Sequence, residues 1–421
     1  MKVTDIEVHE IWPEYEDWIA YPLQHYYGPA RRTVYVAHTD TGLVGLGEGH
    51  DVEPPEVLER YVGSNPFDWV GDETSLALGT AMYDLMGQAA GVPVYKLFGQ
   101  KCRSWVPVGS WTVSTHPDRM AEAVLQYSAR GYTWVKYHLS PFENVFDQTE
   151  AMSAAAPPGF RVHYDFTMHG TDDHMPDLLE RLARYPVAGC FEDPLPGEDL
   201  DGYIELRSRI RVPIVLHHFP SGATYEVFRR PADAYMLGHS KIGDAMRRAG
   251  LFGAADMPFM LQNTGGLITR AMILHMMAAF PSATFHFVSD TETARSDVVE
   301  ERWEPVEGRM RVPEKPGLGL TLDRAELERL AARKPEPQDP WILKSTYQGG
   351  ARMYNLHRTE DPIFMVRPDR RREITLSFDS PITTEYWDDD GTAEFAQMKS
   401  RIESEGVVLE SGDRAGGTSS A

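Results

Sequence analysis

Three polar residues follow apolar segments at regular intervals along the chain. Asp165 ends the segment Arg161-Val-His-Tyr-Asp, Glu192 ends Gly189-Cys-Phe-Glu, and His218 ends Pro213-Ile-Val-Leu-His-His. Glu192 lies 27 residues after Asp165 and His218 lies 26 residues after Glu192, which is the length of one strand and one helix. Because the carboxyl ends of the strands form the active-site face of a β/α barrel, we expect the three side chains to converge.

Such a set has the chemistry of a metal site. Two carboxylates in a confined space repel each other unless a cation lies between them, and a hard divalent ion supplies that charge. Imidazole is a poor ligand for Mg²⁺ but a good one for Zn²⁺, Mn²⁺ or Fe²⁺, so His218 leaves the metal open. His217 faces the site instead if the strand register shifts by one residue. Taken singly, each strand-end acid is also typical of a helix N-cap or a rim salt bridge.

A second pair of residues could move a proton. Lys136 and His138 are two positions apart in a predicted strand and share one face, whereas Tyr137 points towards the helices. Beside a metal-bound carboxylate, such a lysine or histidine can have its pKa lowered towards neutrality and remove a proton from carbon. The alternative is a structural ion pair between Lys136 and Asp165.

The elements that must position these residues alternate as strands and helices. Helical segments with apolar positions three or four residues apart separate eight short apolar segments, which are residues 106–111, 133–138, 161–165, 188–192, 213–217, 234–238, 258–262 and 284–288. This rhythm predicts an α/β fold with a closed parallel barrel. The competing open, doubly wound sheet lacks a GxGxxG loop after its first strand, and the chain has no Walker loop.

The remaining chain divides into three predicted parts. Residues 1–105 form an α+β domain with a small antiparallel sheet, in which residues 14–30 are interpreted as a loop without clear periodicity. The barrel occupies residues 106–312, and residues 313–335 return towards the first domain. Residues 336–421 form an extension, in which Arg372 to Phe378 is predicted to be a strand and Ser411 to Ala421 to be disordered.

Composition excludes several classes of partner. The chain has 421 residues, 42% of them hydrophobic, and a formal net charge of −22, which disfavours nucleic acid and anionic membranes. Its N-terminus carries charges in place of an apolar segment, so neither a signal peptide nor a membrane anchor is expected. With only Cys102 and Cys190, it has no disulfide framework, and the cytoplasm is the expected compartment. An anionic substrate must therefore be held by local cations.

Several short motifs, read together, resemble the enolase superfamily in its mandelate racemase and muconate-lactonizing branch. The match covers roughly residues 1–330 and consists of Gly42-Leu-Val-Gly-Leu-Gly-Glu48, Ala81-Met-Tyr-Asp-Leu-Met-Gly87, Gly91-Val-Pro-Val-Tyr-Lys-Leu-Phe-Gly99, Phe191-Glu-Asp-Pro194 and Pro316-Gly-Leu-Gly319. The resemblance implies a modified TIM barrel, (β/α)7β, with an N-terminal α+β capping domain. It also implies a homo-oligomer.

The resemblance implies metal-assisted removal of the proton α to a carboxylate, giving an enediolate. Asp165 and Glu192 match the first two metal ligands, and His218 aligns with the third, usually a carboxylate. Mg²⁺ is the expected ion, with Mn²⁺ or another transition metal as the alternative because of His218. Lys136 and His138 match the usual Lys-x-Lys pair of bases. Residues 14–30 match the cap segment that closes over substrate, which makes Trp18, His25 and Tyr26 candidate substrate contacts.

The sequence departs from the family pattern opposite Lys136. The sixth strand ends in Gly238 and the seventh in Gln262-Asn263, so both usual acid/base groups are missing there. Elimination needs a base on one face only, whereas racemisation needs a proton donor on each face, so a dehydratase is favoured. His239 and Lys241 restore a second face if the strand carries a bulge. His217, Gln262, Asn263 and Asp290 complete the candidate substrate contacts.

The leading hypothesis is a metal-dependent lyase that dehydrates a small anionic hydroxy acid, such as a sugar acid. A racemase, epimerase or cycloisomerase that uses His239 or Lys241 is the second hypothesis. The third is a catalytically inert descendant that binds a carboxylate ligand or serves as an assembly subunit. The third hypothesis follows from the absence of the usual acid/base groups opposite Lys136.

Overall fold

The N-terminal part is a three-stranded antiparallel sheet backed by helices. A computed structural model of the chain describes residues 1–168, 174–218, 228–336, 340–357 and 377–412. The sheet has the order β1-β2-β3. Its strands are β1 (Val3–Ile11), β2 (Arg32–Thr39) and β3 (Val44–Gly49), and its helices are α1 (Asp17–Tyr27), α2 (Pro55–Tyr61), α3 (Leu76–Ala90) and α4 (Tyr95–Phe98).

The interpretation of residues 14–30 as a loop is wrong, because Asp17–Tyr27 form helix α1, which Gly28 ends with a φ of 72°. Ile19, Leu23 and Tyr26 recur at helical spacing and are buried on one face. Pro22 and the aromatic residues have low helix propensity and hide this pattern. Burial of the apolar face against distant parts of the chain stabilises the helix despite these residues.

The barrel is parallel and closed, as predicted. Its strands are β4 (Trp105–Val113), β5 (Trp134–His138), β6 (Arg161–Asp165), β7 (Ala188–Glu192), β8 (Ile214–Leu216), β9 (Ala234–Gly238), β10 (Phe259–Gln262) and β11 (Phe287–Val288). Closure comes from pairing of β11 with β4, where Phe287 and Val288 face Val108 and Gly109. The last strand is shorter than the predicted 284–288. Strand β12 (Arg309–Arg311) pairs antiparallel with the start of β4.

The helices of the barrel cover its outer face. They are α5 (Pro117–Ala129), α6 (Val145–Ala155), α7 (Met175–Leu182), α8 (Leu200–Arg209), α9 (Ile242–Ala254) and α10 (Leu267–Ala279). Tyr137, Tyr164 and Leu216 belong to the core between strands and helices. Cys190, Val215 and Met236 belong to a separate core inside the barrel. Because side chains alternate along a strand, these two cores define which residues at each strand end point into the barrel.

The C-terminal extension is a second sheet. Its antiparallel order is β15-β13-β14-β16. The strands are β13 (Trp341–Tyr347), β14 (Arg352–His357), β15 (Ile382–Trp387) and β16 (Val408–Glu410). Helix α11 (Arg324–Ala332) precedes the sheet and contacts β1, and helix α12 (Ala393–Glu405) packs on the sheet. Of the strand predicted at Arg372 to Phe378, residues 372–376 lie outside the described residues, and residues 377–378 are not in a strand. Most of the tail predicted to be disordered, residues 413–421, also lies outside them.

One face of this sheet lies on helix α1. Trp341, Leu343 and Met353 share a buried cluster with Ile19, Leu23 and Tyr26, and the cluster continues into the barrel interior through Trp111 and Val113. The other face packs on α12 through Ile342, Tyr354 and Phe395. Helix α1 is therefore held between the barrel mouth and the C-terminal sheet. None of the helices within the described ranges is long and apolar enough to cross a membrane.

Candidate active site

A buried lysine lies between two buried carboxylates at the barrel mouth. Nζ of Lys136 is 3.0 Å from Oδ2 of Asp165 and 2.6 Å from Oε2 of Glu192, and it donates a hydrogen bond of 2.6 Å to Oε1 of Gln262. Adjacent strands β5, β6 and β7 supply the three charged residues. Burial lowers the pKa of Lys136, but Asp165 and Glu192 outweigh it and hold that pKa above its usual value.

His138 extends this cluster towards the mouth. Its Nε2 is 3.1 Å from Oδ2 of Asp165, and its side chain is 16% exposed, whereas Lys136 is fully buried. Its Nδ1 is 3.5 Å from the hydroxyl of Tyr27 at the end of α1. The ring of Trp111 lies beside it, with centroids 5.9 Å apart. Lys136 and His138 therefore point into the barrel from one strand face.

Glu192 has a nitrogen neighbour at each oxygen. Nδ1 of His217 is 2.9 Å from Oε1, and Nε2 of His163 is 2.7 Å from Oε2. Burial raises the pKa of the Glu192 carboxyl, but Lys136 and the two histidines outweigh it, so that pKa lies well below its usual value. For Asp165, burial and the charge of Glu192 raise the pKa, and Lys136 and His138 bring it below its usual value. Both groups are carboxylates at neutral pH.

The structure places His217 in the barrel and His218 outside it. Val215 belongs to the interior core, so His217, two residues later, points inward, and its side chain is only 10% exposed. The side chain of His218 is 52% exposed, and its Nδ1 is 2.7 Å from Oδ2 of Asp193. Asp193 also accepts the backbone N–H groups of both histidines, at 2.8 and 3.0 Å. The expected trio thus meets as Asp165, Glu192 and His217.

Gly238, at the end of the sixth strand, makes room for His217. A Cβ atom built on Gly238 would overlap Nε2 of that imidazole. The missing side chain on β9 and the inward histidine on β8 are therefore complementary. His217 occupies the part of the mouth that a residue at position 238 would otherwise fill.

The other predicted proton-transfer residues lie beyond the strand end. His239 has a φ of 50° and is exposed, and its backbone N–H donates to the carbonyl of Gln262. Lys241 is the exposed N-cap of α9. Neither side chain forms a hydrogen bond or ion pair with the described residues around Lys136.

The predicted substrate contacts divide into two groups. Gln262 accepts from Lys136, and Asp290 accepts the backbone N–H of Gly265 at 2.6 Å, near the mouth. Asn263 is buried next to Gln262. The residues of α1 point elsewhere: Trp18 packs on Tyr127, His25 lies 2.7 Å from Asp388, and Tyr26 is buried in the cluster shared with the C-terminal sheet.

Four residues of the site were missed from the sequence, namely Tyr27, Trp111, His163 and His286. His163 is two positions before Asp165, so the strand alternation that selects Asp165 also selects His163. Trp111 could have been found in the same way on β4. Tyr27 required helix α1 to be recognised first. His286 precedes a strand of two residues, too short for alternation to be read.

The donor set fits a divalent cation. Asp165 and Glu192 share one positive charge, and two buried carboxylates at this distance require one. Their oxygens are the donors that hard divalent ions prefer, and His217 adds a nitrogen donor beside Glu192. In the structure, the ammonium group of Lys136 supplies the compensating charge.

Comparison with known proteins identifies the barrel. Residues 119–326 match the family model described as Enolase C-terminal domain-like. The chain is 22% identical to the arabinonate dehydratase of Saccharolobus solfataricus over 254 residues, 58% of this chain and 68% of the relative. It is 26% identical to the D-xylonate dehydratase of Haloferax volcanii over 350 residues, 69% of this chain and 83% of the relative. A crystal structure of an enolase from Thermobispora bispora with magnesium and formate superposes with a TM-score of 0.65 and 23% identity, covering 79% of this chain and 92% of that one.

Proposed function

This chain belongs to the enolase superfamily, in its mandelate racemase and muconate-lactonizing branch, and on that premise we propose that it dehydrates a small hydroxy acid of the sugar-acid class. The observation that carries the proposal is the ionic cluster of Lys136, Asp165 and Glu192, buried at the ends of three adjacent strands. The two relatives described above are sugar-acid dehydratases, which supports the reaction class.

Asp165, Glu192 and His217 are the residues that would hold a divalent ion, with Mg²⁺ favoured. When bound, the ion supplies the positive charge that acidifies the proton α to the substrate carboxylate. Lys136 supplies one of the two positive charges that the carboxylates of Asp165 and Glu192 need, because its ammonium group contacts both. Side chains of the protein perform the remaining steps.

His138 is the proposed base. Lys136 is fully buried and is held as an ammonium group, so it has no lone pair to accept a proton in this state. His138 is nearer the mouth, and with its Nε2–H donating to Asp165, its Nδ1 carries the lone pair. Nδ1 takes the α-proton. The bond between the β-carbon and its hydroxyl then breaks, and the leaving hydroxide takes a proton from the imidazolium and departs as water.

A racemase or epimerase is the second candidate function, and the position of His217 supports it. Its imidazole lies over Gly238 on β9, across the barrel from β5. In that reaction His217 would act as an imidazolium acid and not as a metal ligand, with Nδ1–H towards Glu192 and Nε2–H delivering the proton to the face of the planar intermediate opposite His138. The same residues thus allow either elimination or inversion, depending on whether the substrate carries a β-hydroxyl.

The test is incubation with a panel of sugar acids in D₂O with Mg²⁺ or Mn²⁺. A dehydratase forms a 2-keto-3-deoxy acid that a semicarbazide assay detects, whereas an epimerase exchanges the α-proton without loss of water. The Asp165→Asn variant is the control and is expected to be inactive. Metal binding without product or α-exchange for any acid in the panel would leave the third hypothesis, an inert binding protein.

A further inference from the structure

Two histidines lie directly beneath the ionic cluster, in a layer of the barrel that the proposed mechanism does not use. His163 and His286 are 0% and 2% exposed. Nε2 of His163 is 2.7 Å from Oε2 of Glu192, and Nδ1 of His163 is 3.0 Å from Nε2 of His286. The three side chains form a continuous chain of contacts from the barrel interior to the active site.

The surrounding residues leave space for the ring of His286 and for the ring of Trp134 that stacks on it. His286 stacks on Trp134, with ring centroids 4.1 Å apart and an interplanar angle of 20°. A Cβ atom on Gly109 would lie 2.7 Å from Cδ2 of His286, and one on Gly189 would overlap the ring of Trp134. Two glycines therefore keep open the volume that the stacked rings occupy. The orientation of His286 is fixed by packing before any ligand binds.

The contacts determine which ring nitrogen of His163 and of His286 carries the hydrogen. The contact between His163 and Glu192 is short but is not an aligned hydrogen bond. At 2.7 Å a lone pair on Nε2 of His163 would repel the carboxylate oxygen, so Nε2 carries the hydrogen. In a neutral imidazole, the other nitrogen is then an acceptor, so Nδ1 of His163 accepts from Nε2–H of His286. Each histidine thereby adopts a single tautomer. Both are neutral, because a second positive charge beside Lys136 in the dry interior would be costly.

We propose that His163 and His286 are positioning residues, which orient Oε2 of Glu192 for the divalent ion. This inference rests on the proposed function, in which Glu192 is a metal ligand. Oε2 has two neighbours, Lys136 and His163. If Lys136 releases Glu192, His163 is the donor that remains at that oxygen. Outer residues that support a metal ligand typically contribute 10- to 100-fold to metal affinity.

The alternative for these residues is a second metal site. The ligand atoms of His163, Cys190 and His286 lie within 4.8 Å of one another, and a thiolate with two imidazoles suits a soft transition metal. The contact of His163 with Glu192 favours the positioning role, because it commits one nitrogen of the imidazole to the carboxylate. The metal site is an outcome that the experiments must separate.

The experiment compares two replacements of His286 in the full chain. Gln retains an N–H donor near the position of Nε2, whereas Met fills a similar volume without a donor. We expect His286→Met to weaken Mn²⁺ binding, measured by electron paramagnetic resonance, about tenfold or more. His286→Gln should stay within about threefold of the wild type, since the donor is retained. Equal Mn²⁺ affinity in the Met variant and the wild type would overturn the proposal.

Glu192→Gln separates failure of this inference from failure of the proposed function. If Glu192→Gln abolishes Mn²⁺ binding and His286→Met leaves it unchanged, Glu192 is a ligand and only the positioning role is wrong. If Glu192→Gln binds Mn²⁺ like the wild type, the proposed metal site itself is wrong, and the positioning role falls with it.

Two measurements on the wild type remain decisive even if a variant does not fold. Long-range ¹⁵N–¹H correlation of histidine-labelled protein should show the hydrogen on Nε2 of both His163 and His286. A hydrogen on Nδ1 of either residue contradicts the proposal.

Titration with Co²⁺ should give no thiolate charge-transfer absorption. Such a band, lost in Cys190→Ser, would instead establish a metal site at His163, Cys190 and His286.

Discussion

The proton-transfer roles of Lys136 and His138 can be separated by variants that act on different quantities. His138→Gln removes the proposed base, so turnover should fall about 10²- to 10⁴-fold while Mn²⁺ affinity changes little.

Lys136→Met leaves Asp165 and Glu192 buried without their cation, which should cost about 3–5 kcal/mol of unfolding free energy without metal. Added Mn²⁺ should restore much of that loss. Urea denaturation with and without metal checks this, and a Lys136→Met protein as stable as the wild type without metal would contradict it.

Two adjacent histidines offer a matched pair for the third ligand. His217→Asn should weaken Mn²⁺ binding about tenfold or more, because this imidazole points into the barrel beside Glu192. His218→Asn should bind Mn²⁺ nearly as the wild type does, because His218 lies outside, on Asp193. Calorimetric titration of both variants decides the point. The reverse order would return the ligand role to His218, where the alignment placed it.

Gly238 and His217 should be energetically coupled. Gly238→Ala forces His217 to move, so we expect a loss of about 1–3 kcal/mol in unfolding free energy and lower activity. Adding His217→Ala should recover most of the stability, which a double-mutant cycle measures. Gly250→Ala is the control, because a Cβ atom there meets no atom within 4 Å and the residue lies in helix α9. Additive effects at positions 217 and 238 would refute the coupling.

At the scale of elements, helix α1 depends on the C-terminal sheet. Tyr386 and Trp387 are neighbours on β15 that point to opposite faces: Tyr386 packs on His25 of α1, and Trp387 packs on Phe395 of α12. Tyr386→Ala should speed amide hydrogen exchange in residues 17–27, and Trp387→Ala should speed it in residues 393–405. Exchange measured by mass spectrometry tests this. Unchanged protection of α1 in Tyr386→Ala would show that the helix is held by the barrel alone.

This arrangement matters for the site because α1 carries Tyr27, which contacts His138. The turn before β15 also reaches the loop after β5, where Asn144 donates to the carbonyls of Asp379 and Ser380. Helix α1 is thus fixed from behind by residues more than 300 positions away in the chain. We expect substrate selection to depend on the extension as well as on the barrel loops.

At the scale of the whole molecule, Asp84 links three parts of the chain. Its carboxylate accepts the backbone N–H of Leu46 on β3 at 3.0 Å and that of Leu318 in the return segment at 2.8 Å, and it lies on α3 against the barrel. Burial raises the pKa of Asp84 to about 6, and hydrogen bonds from Leu318, Gln88 and Leu46 only partly offset that rise. An acid with a raised pKa in the folded state contributes stability at low pH that is lost as the pH rises.

The pH dependence of stability should show this group. Between about pH 4 and pH 6 the folded chain binds a proton that the unfolded chain has released, so ionisation of Asp84 should cost about 3 kcal/mol by pH 7. Asp84→Asn cannot ionise, and so its stability relative to the wild type should improve by up to that amount from pH 4 to pH 7. Urea denaturation across this range measures the difference. A constant difference would mean that Asp84 is ionised throughout.

The sequence by itself determined the closed barrel, the strand ends that bring Asp165 and Glu192 together, and the face that Lys136 and His138 share. These follow from local patterns, namely the spacing of strand ends and the alternation of side chains in strands of five residues. The tertiary structure alone decided the rest. Strand β8 has three residues, so its alternation could not choose between His217 and His218 until the core around Val215 was known. Helix α1 and the C-terminal sheet bury their apolar faces on each other. These contacts are distant in sequence, and they stabilise a helix whose periodicity Pro22 and the aromatic residues mask.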